Sequence, residues 1–456
     1  MQKMNIEDIL TATGGTLLSG SADKVITDVI TNSREAHEGV LFVPIIGDKF
    51  DGHEFIKAAF DMGAAAVLTQ KETDLFIDKT IIKVADTRRA LGDIARYYKQ
   101  LHNVPTVAVT GSVGKTTTKD MIASVMSQKY KTLKTDKNYN NDIGVPDTIF
   151  NLESSHEAAV IEMGMNHFGE IEYLAGIGRP DIAVITNIGE SHIANLGSQE
   201  GIFKAKMEIT KQFTEKNTLI VNGDDAFLAK TKGTGEYKIV YYGKDNPQND
   251  VSAKNIRNDG LHGISFTAVT DEGEYEVKVN VAGVHNVYNA LAAICVGREL
   301  DIPMESILQG IADTEVTAER LDIEEYNGIT IINDCYNASP DSVRAAVKVL
   351  SGENANRKIA VLGDILEMGE YAGKAHYELG VFVAENGIDV LITAGENMKQ
   401  LARGACDNGM NNVKSFDKTL EVCEYIKDKL KEGDAVLIKA SHGMNFSEVY
   451  KAVTNK

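Results

Sequence analysis

The chain has 456 residues, of which 43% are hydrophobic and 25% are charged. This composition is typical of a soluble globular protein of about two to four domains. The formal net charge of −19 argues against a nucleic-acid or anionic-membrane partner, because both favour a basic surface. The four cysteines show no C-x-x-C spacing, which is typical of free thiols in a reducing compartment. Without an apolar leader or an apolar run of about 18 residues, the sequence predicts a cytoplasmic protein with no membrane insertion.

Residues 1–84 predict a small α/β domain. Short β-like runs alternate with one helical stretch; the runs lie at 25–26, 40–43, 65–68 and 81–84, and the helix at 53–62. Two polar clusters lie between these elements, at 31–34 and 47–53. Ser33 and Arg34 follow a predicted strand, where they could hold a phosphate or the edge of a uracil. A solvated loop is the alternative that stays open here.

The stretch 107–121, VAVTGSVGKTTTKDM, has the order strand, glycine-rich turn and helix start that a phosphate-binding loop requires. Its glycines let successive N–H groups and the helix N-terminus face one anion. Lys115 would then reach the β- and γ-phosphates, and the Thr116 hydroxyl would bind Mg²⁺. Val109 stands where the general pattern has its first glycine, so the loop has a shorter form, T-G-S-x-G-K-T-T. The stretch predicts an ATP-dependent enzyme.

Residues 85–313 predict a central domain built on a parallel sheet. Its predicted strands are apolar throughout, which is typical of sheets covered on both faces; they lie at 106–109, 158–162, 182–187 and 218–222. Ligands of such sheets gather at the carboxyl ends of the strands. Glu162 and His192 each follow a strand and are suited to hold a Mg²⁺ that comes with a nucleotide. A surface carboxylate and a structural histidine are the alternatives.

Three further segments complete this domain. The spacing of apolar residues predicts a helix over 198–213, which carries Lys204 and Lys206, and residues 235–282 alternate as in antiparallel strands. A helix is predicted from 283 to 300. Asn286 and Asn289 are three residues apart on its first turn, hence on one face, and helix capping is an alternative role for them.

From about residue 314 the pattern restarts and predicts a third domain, again of strands and helices in alternation. Strands are predicted at 329–334, 358–362, 390–393, 413–416 and 435–439, and a capped helix at 343–350. No G-x-G-x-x-G follows the first of these strands, so the sequence predicts neither NAD nor FAD, and it predicts no haem.

Taken in chain order, seven segments resemble the Mur ligases of peptidoglycan synthesis. They are TGSVGKTTTK, NYNNDIGVP, IEMGMNHFGEI, TNIGESH, FKAKMEI, GVHNVYNALAA and INDCYNASPDS. The resemblance implies an α/β fold of three domains: a small N-terminal α/β domain that binds the uridine end of a UDP-muramyl-peptide (1–84), a central P-loop ATPase domain with a parallel sheet (85–313), and a C-terminal Rossmann-like domain that closes on the nucleotide and an incoming dipeptide (314–456).

Two features narrow the activity that the resemblance implies. The D-N-P-R element expected of the ligase that adds the third peptide residue does not occur. IEMGMNHFGEI, DCYNASPDS and VLGDILEMGEYAGKAHYELG resemble the member that joins D-alanyl-D-alanine to UDP-N-acetylmuramoyl-tripeptide. The expected reaction consumes ATP with two Mg²⁺ ions, passes through an acyl phosphate and releases ADP and phosphate. The expected partners are these small molecules alone, and the expected state is a monomer.

The resemblance also implies roles for individual residues. Those expected to bind ATP are Gly111, Ser112, Val113, Gly114, Lys115, Thr116, Thr117, Asn286, Asn289, Arg320 and Asp334. Those expected to bind the substrates are Ser33, Arg34, Asp51 and His53 at the uridine end, Asn140 at the muramyl-peptide side, and Tyr336 and Asn337. The expected metal ligands are Thr116, Glu162, His192 and a carbamylated Lys206, and the expected catalytic residues are Lys115, Glu162, His192, Lys206 and Arg320.

One segment departs from the family pattern, and two other functions stay open. The C-terminal element is usually K-G-S-R, but here it reads KASHGMN over residues 439–445, so no substrate role is carried over to His442. One alternative is another amide ligase, similar to folylpolyglutamate synthase or cyanophycin synthase. The second is a nucleotide switch that makes no bond, although a switch would not require Glu162, His192 and Lys206 behind the loop.

Overall fold

The structure is a computed structural model, which describes residues 1–47, 49–71, 78–315, 317 and 320–454. The chain divides into two compact units. The first comprises residues 1–109, 130–183 and 208–218, and the second comprises 110–129, 184–207 and 219–456. The predicted domain limits at 84 and 313 follow sequence pattern, and they stay predictions. Within the described ranges, no helix combines the length and the apolar character needed to cross a bilayer.

The N-terminal part of the chain alternates strands and helices. Its elements are β1 (Met4–Asn5), α1 (Ile6–Thr13), β2 (Thr16–Ser19), β3 (Val25–Ile26), β4 (Asp28–Ile30), β5 (Val40–Phe42), α2 (Ile56–Asp61), β6 (Ala66–Thr69), β7 (Thr80–Lys83) and α3 (Thr87–Leu101). The predicted strands and helix are present, together with α1, β1, β2 and β4, which the sequence pattern missed. Five strands form a sheet in the order β2-β7-β6-β5-β4, in which only β2 runs antiparallel to its neighbour. Asp86 begins α3 by accepting hydrogen bonds from the main-chain N–H groups of Arg88 and Arg89.

The middle of the chain carries the phosphate-loop strand and helix. Its elements are β8 (Thr106–Thr110), α4 (Lys115–Met126), β9 (Thr132–Lys134), α5 (Gly144–Phe150), β10 (Ala158–Glu162), α6 (Glu170–Gly178), β11 (Ile182–Ile185), α7 (Ile193–Leu196), α8 (Gln199–Met207), β12 (Thr218–Asn222), β13 (Lys238–Gly243), β14 (Val251–Asn258), β15 (Ile264–Thr270), β16 (Gly273–Val279), α9 (Asn286–Glu299) and α10 (Met304–Ala312). In the first unit, β9, β10 and β8 are neighbours and run parallel.

Two predictions for this part of the chain need correction. The helix predicted over 198–213 ends at Met207 and continues only as a 3₁₀ turn, Glu208–Thr210. There the Glu208 carboxylate accepts hydrogen bonds from the main-chain N–H of Gly169, a tertiary contact that the helical spacing could not foresee. In the stretch predicted to be antiparallel, β14, β15 and β16 are so paired, but β13 runs parallel to β14.

The C-terminal part forms a six-stranded sheet in the order β17-β18-β22-β19-β20-β21. Its elements are β17 (Asp322–Tyr326), β18 (Ile329–Asn333), α11 (Pro340–Ser351), β19 (Arg357–Gly363), α12 (Ala372–Glu385), β20 (Val390–Ala394), α13 (Met398–Asp407), β21 (Val413–Phe416), α14 (Thr419–Ile426), β22 (Asp434–Lys439) and α15 (Ser447–Thr454). All pairs are parallel except β17 with β18, and β17 is a strand that the sequence pattern missed.

Alternate residues of the parallel strands enter two separate cores. Ile332, Ala360 and Leu437 pack on one face of the six-stranded sheet, whereas Ile331, Val361 and Val436 pack on the other. A sheet covered on both faces in this way is what uniformly apolar strands predict. The predicted fold class, α/β with parallel sheets, is therefore confirmed. All four cysteines are free; Cys406 on α13 is exposed, and Cys295, Cys335 and Cys423 are buried.

Candidate active site

The phosphate loop in the second unit owes its shape to two glycines. Gly111 has φ +153° and a side chain there would overlap the Thr186 hydroxyl. Gly114 has φ +83° and comes directly before α4. Because L-residues rarely adopt such dihedral angles, only glycine forms this turn without strain. The loop therefore presents the N-terminus of α4 as an anion site, as the sequence predicts.

Asn187 holds the loop in this shape. Its main-chain oxygen accepts a hydrogen bond from the Ser112 N–H (3.1 Å), and its side-chain oxygen accepts one from the Val113 N–H (3.0 Å). Its amide group donates in turn to the Val113 oxygen (2.9 Å). The Ser112 hydroxyl accepts a hydrogen bond from the Gly189 N–H (2.9 Å). The segment after β11 thus packs against the phosphate loop and holds it in place.

In the second unit, the positive charge of Lys115 affects the pKa of Lys206. Lys115 lies over the loop, and its ammonium group donates to the Gly111 oxygen at 2.8 Å. Lys206 on α8 is only 2% exposed. Burial, and next the positive charge of Lys115, lower the pKa of Lys206 well below its usual value. A lowered pKa favours the uncharged amine, which is the nucleophilic form that reacts with carbon dioxide.

His192 has φ +62° and begins α7. Its Nδ1 lies 2.8 Å from a carboxylate oxygen of Glu367, a residue of the C-terminal part of the same unit. The nearby imidazole of His192 lowers the pKa of Glu367 despite the partial burial of that carboxyl. The imidazole is therefore oriented through one nitrogen by an acidic partner.

The predicted adenine-contacting pair on α9 lies beside the phosphate loop. A side chain at Gly114 would come within 3.1 Å of Asn289 Oδ1. Asn289 Nδ2 donates to Asn286 Oδ1 (2.7 Å), and Asn289 Oδ1 accepts from the Thr118 hydroxyl (2.9 Å). These bonds fix both amides on the face that the three-residue spacing predicts.

The predicted third-domain residues lie close together. The Arg320 guanidinium lies 4.0 Å from the centre of the Tyr336 ring, a cation–π contact. Asp334, at the end of β18, is 6% exposed and forms an ion pair with the buried Lys439 at 2.5 Å. Lys439 also donates to the main-chain oxygen of Asn337 (2.9 Å). Arg320, Asp334, Tyr336 and Asn337 thus form one cluster at the carboxyl ends of β18 and β22.

In the first unit, Glu162 ends β10 with a buried carboxylate, 1% exposed. Its Oε1 accepts a hydrogen bond from Asn140 Nδ2 at 2.8 Å. Its Oε2 is buried and has no hydrogen-bond partner among the described residues. Asn140, predicted to face the peptide substrate, therefore orients Glu162 in the structure.

The other predicted substrate residues also lie in the first unit. Ser33 and the exposed Arg34 form a 3₁₀ turn that Asn32 begins. Asp51 is bound by His53 Nδ1 (2.6 Å) and by Lys71 (2.5 Å), and these partners hold its pKa well below the usual range. The second ring nitrogen of His53 accepts a hydrogen bond from the Gln70 N–H (3.1 Å). Asp48, within the same predicted segment, lies outside the described residues.

Of the residues present, Glu162 is best suited to bind Mg²⁺. The unpaired, buried Oε2 of Glu162 is the kind of hard oxygen ligand that Mg²⁺ prefers. No group of three or more His, Cys, Asp or Glu side chains able to hold a metal exists in the part of the chain that the structure describes. The predicted metal ligands Thr116, Glu162, His192 and Lys206 therefore stay predictions.

Three residues of the site were not singled out from the sequence. Asn187 follows an apolar parallel strand, which is the signal that could have identified it. Lys439 has the same signal at the end of β22. Glu367 has none, because it lies in an irregular segment and meets His192 only through the tertiary fold.

Comparisons with known proteins show to which family the chain belongs. Three family models match it in order: "Mur ligase family, catalytic domain" over residues 25–99, "Mur ligase middle domain" over 109–297 and "Mur ligase, glutamate ligase domain" over 319–442. A Bacillus subtilis (strain 168) protein named UDP-N-acetylmuramoyl-tripeptide–D-alanyl-D-alanine ligase is 38% identical over 463 residues, covering 99% of this chain and 98% of that protein.

Solved structures agree with these matches. MurF from Acinetobacter baumannii has a TM-score of 0.93 at 30% identity and covers 100% of both chains. MurF from Thermotoga maritima, in complex with ADP, has a TM-score of 0.83 at 27% identity, covering 94% of this chain and 97% of that one. The resemblance seen in the sequence motifs is confirmed, and the chain belongs to the Mur ligase family.

Proposed function

We propose that this chain is an ATP-dependent ligase that joins D-alanyl-D-alanine to the terminal carboxylate of UDP-N-acetylmuramoyl-tripeptide. The products would be UDP-N-acetylmuramoyl-pentapeptide, a precursor of cell-wall peptidoglycan, with ADP and phosphate. The observation that carries the proposal is the near full-length match at 38% identity to a relative named for this reaction. The phosphate loop, with Lys115 lying over it, supports the use of ATP.

The chemistry explains why such a reaction consumes ATP. A carboxylate is a poor electrophile, and oxide is a poor leaving group. In the proposed first step the tripeptide carboxylate attacks the γ-phosphorus, and the bond from phosphorus to ADP breaks. The amine of D-alanyl-D-alanine, having lost a proton, then attacks the acyl carbon, and the tetrahedral intermediate expels phosphate. The first step brings two anions together, and in the second step negative charge develops on the acyl oxygen. The protein must stabilise this charge in both steps.

Residues of the second unit supply that stabilisation. The Ser112–Thr117 segment, at the N-terminus of α4, would bind the phosphates through main-chain N–H groups, and Lys115 would contact the transferred group. Arg320, stacked on Tyr336, would add a second positive charge, and Asp334 would face the ribose. Asn286 and Asn289 would contact the adenine, while Tyr336 and Asn337 would contact the incoming dipeptide.

Metal ions would be held by Glu162 in the first unit and by Thr116 and His192 in the second. When bound, Mg²⁺ would neutralise phosphate charge and polarise the phosphorus–oxygen bonds. Lys206 would join them as a carbamate, since an ammonium group cannot bind a cation and a carbamate resembles a carboxylate. The buried position and lowered pKa of Lys206 support this modification. Ser33, Arg34, Asp51, His53 and Asn140 stay the predicted substrate contacts of the first unit.

A phosphate-release assay tests the proposal. Release of phosphate from ATP should require both UDP-N-acetylmuramoyl-tripeptide and D-alanyl-D-alanine, and mass spectrometry should find the tripeptide substrate heavier by the dipeptide minus water. Release that is independent of either substrate would contradict the ligase function and favour the nucleotide-switch alternative. Release that requires an amino acid in place of the dipeptide would favour another amide ligase.

A further inference from the structure

Lys439, the last residue of β22, begins the KASHGMN segment that departs from the family pattern. It is 1% exposed. Its ammonium group has two partners: the Asp334 carboxylate at 2.5 Å and the main-chain oxygen of Asn337 at 2.9 Å. A charged lysine buried to this degree needs such partners, because water cannot solvate it.

The same carboxylate connects Lys439 to Arg320. The second oxygen of Asp334, Oδ1, accepts a hydrogen bond from the Leu321 N–H at 3.2 Å. Leu321 has φ +48°, so the chain turns sharply immediately after Arg320. Through Asp334 and Asn337, Lys439 therefore connects β22 to the two segments, 320–321 and 334–337, that carry the four predicted third-domain site residues.

We propose that Lys439 is a positioning residue for the nucleotide: it holds the Asp334 carboxylate where that group can receive the ribose hydroxyls of ATP. The inference rests on the proposed function, in which Asp334 faces the ribose. An ionised carboxylate accepts about four hydrogen bonds, and of the described side chains and N–H groups, Lys439 and Leu321 use two of these positions. The remaining acceptor positions are available to hydroxyl donors.

The positive charge of Lys439 also contributes to this positioning. An unpaired carboxylate close to the phosphates of ATP would repel them. The Lys439 ammonium offsets the charge of Asp334, so that this carboxylate can lie at the nucleotide without opposing its binding. Buried ion pairs are often no better for stability than apolar residues of similar size. A role in orientation therefore explains the pair better than stability alone.

The preference of the enzyme for ATP over its deoxy analogues tests whether Lys439 positions Asp334 or only stabilises the fold. The wild-type enzyme should use ATP with a kcat/KM about tenfold higher than that for 2′-deoxy-ATP or 3′-deoxy-ATP, whichever lacks the hydroxyl that Asp334 receives. Lys439→Met should raise the KM for ATP and remove this preference, because Asp334 is no longer held. Asp334→Asn should remove it as well, and the double variant should be no worse than either single variant.

Lys358→Met is the matched control. Lys358 lies on β19 of the same sheet, and its ammonium group also donates to a main-chain oxygen, but that oxygen belongs to Ser351, which is not a site residue. This variant should keep the wild-type preference. Lys439→Gln has a side chain one atom shorter, which cannot hold Asp334 in the same place. It should also lose the preference, and it provides a second comparison if Lys439→Met is unstable.

Two results would overturn the inference, and they are distinguishable. If folded Lys439→Met or Lys439→Gln keeps the wild-type preference for ATP, Lys439 does not position Asp334. If the wild-type enzyme shows no preference between ATP and either deoxy analogue, Asp334 does not face the ribose. Phosphate release that depends on both peptide substrates would leave the ligase function intact in either case.

Discussion

Lys206 shows at the scale of one residue how position changes chemistry. It lies on the same helix as Lys204, yet Lys204 is exposed and paired with Glu200 whereas Lys206 is buried near the positive charge of Lys115. Burial and a like charge both favour the neutral amine. The sequence shows two lysines two residues apart and does not distinguish them by charge.

Lys206→Ala should lower kcat by at least about 100-fold, because a group that binds charge at the reacting centre is lost. Addition of formate or acetate should restore part of the activity if a carbamate normally supplies the carboxylate. Lys204→Ala should retain full activity as the control. Full activity in Lys206→Ala would exclude the carbamate role.

Contacts between individual side chains were harder to predict from the sequence than the secondary structure was. The motif alone identifies Lys115 and Thr116, since their roles follow from local order along the chain. Asn140 with Glu162 and Lys439 with Asp334 are 22 and 105 residues apart in sequence, so their contacts depend on how the strands are ordered. Asp334 and Asn140 were singled out from the family resemblance, but their partners could be found only in the structure.

At the scale of secondary structure, the strand–loop–helix unit of β8 and α4 was predictable because its glycines, apolar strand and helix start occur in one stretch. Uniformly apolar runs made the parallel strands predictable as well. Helix ends and the edge strand β17 were not, since tertiary contacts such as that of Glu208 with Gly169 decide them.

Gly111→Ala tests this unit. The new methyl group would overlap the Thr186 hydroxyl and would require φ +153°, so the loop should open and the KM for ATP should rise at least about tenfold. Gly387→Ala is the matched control, because Gly387 has φ +68° but no atom within 4 Å of the added carbon. It should lose about 1 kcal/mol of stability and keep the KM of the wild type. Equal KM values for the two variants would refute the steric account.

At the scale of the whole molecule, charge and sequence pattern predict a monomer. The chain carries a net charge of −19, which makes like copies repel at low ionic strength. Light scattering after size exclusion should give the mass of one 456-residue chain, with or without added salt. A mass of two chains would refute this.

The division of the four cysteines between surface and interior has a practical consequence. Cys406 alone is exposed, while Cys295, Cys335 and Cys423 are enclosed. Burial raises the pKa of Cys423, and it raises that of Cys295 as well, which leaves both poorly reactive. A maleimide dye should therefore label the native protein at one point on α13, and substrate-induced movement could be followed by fluorescence without altering any other residue.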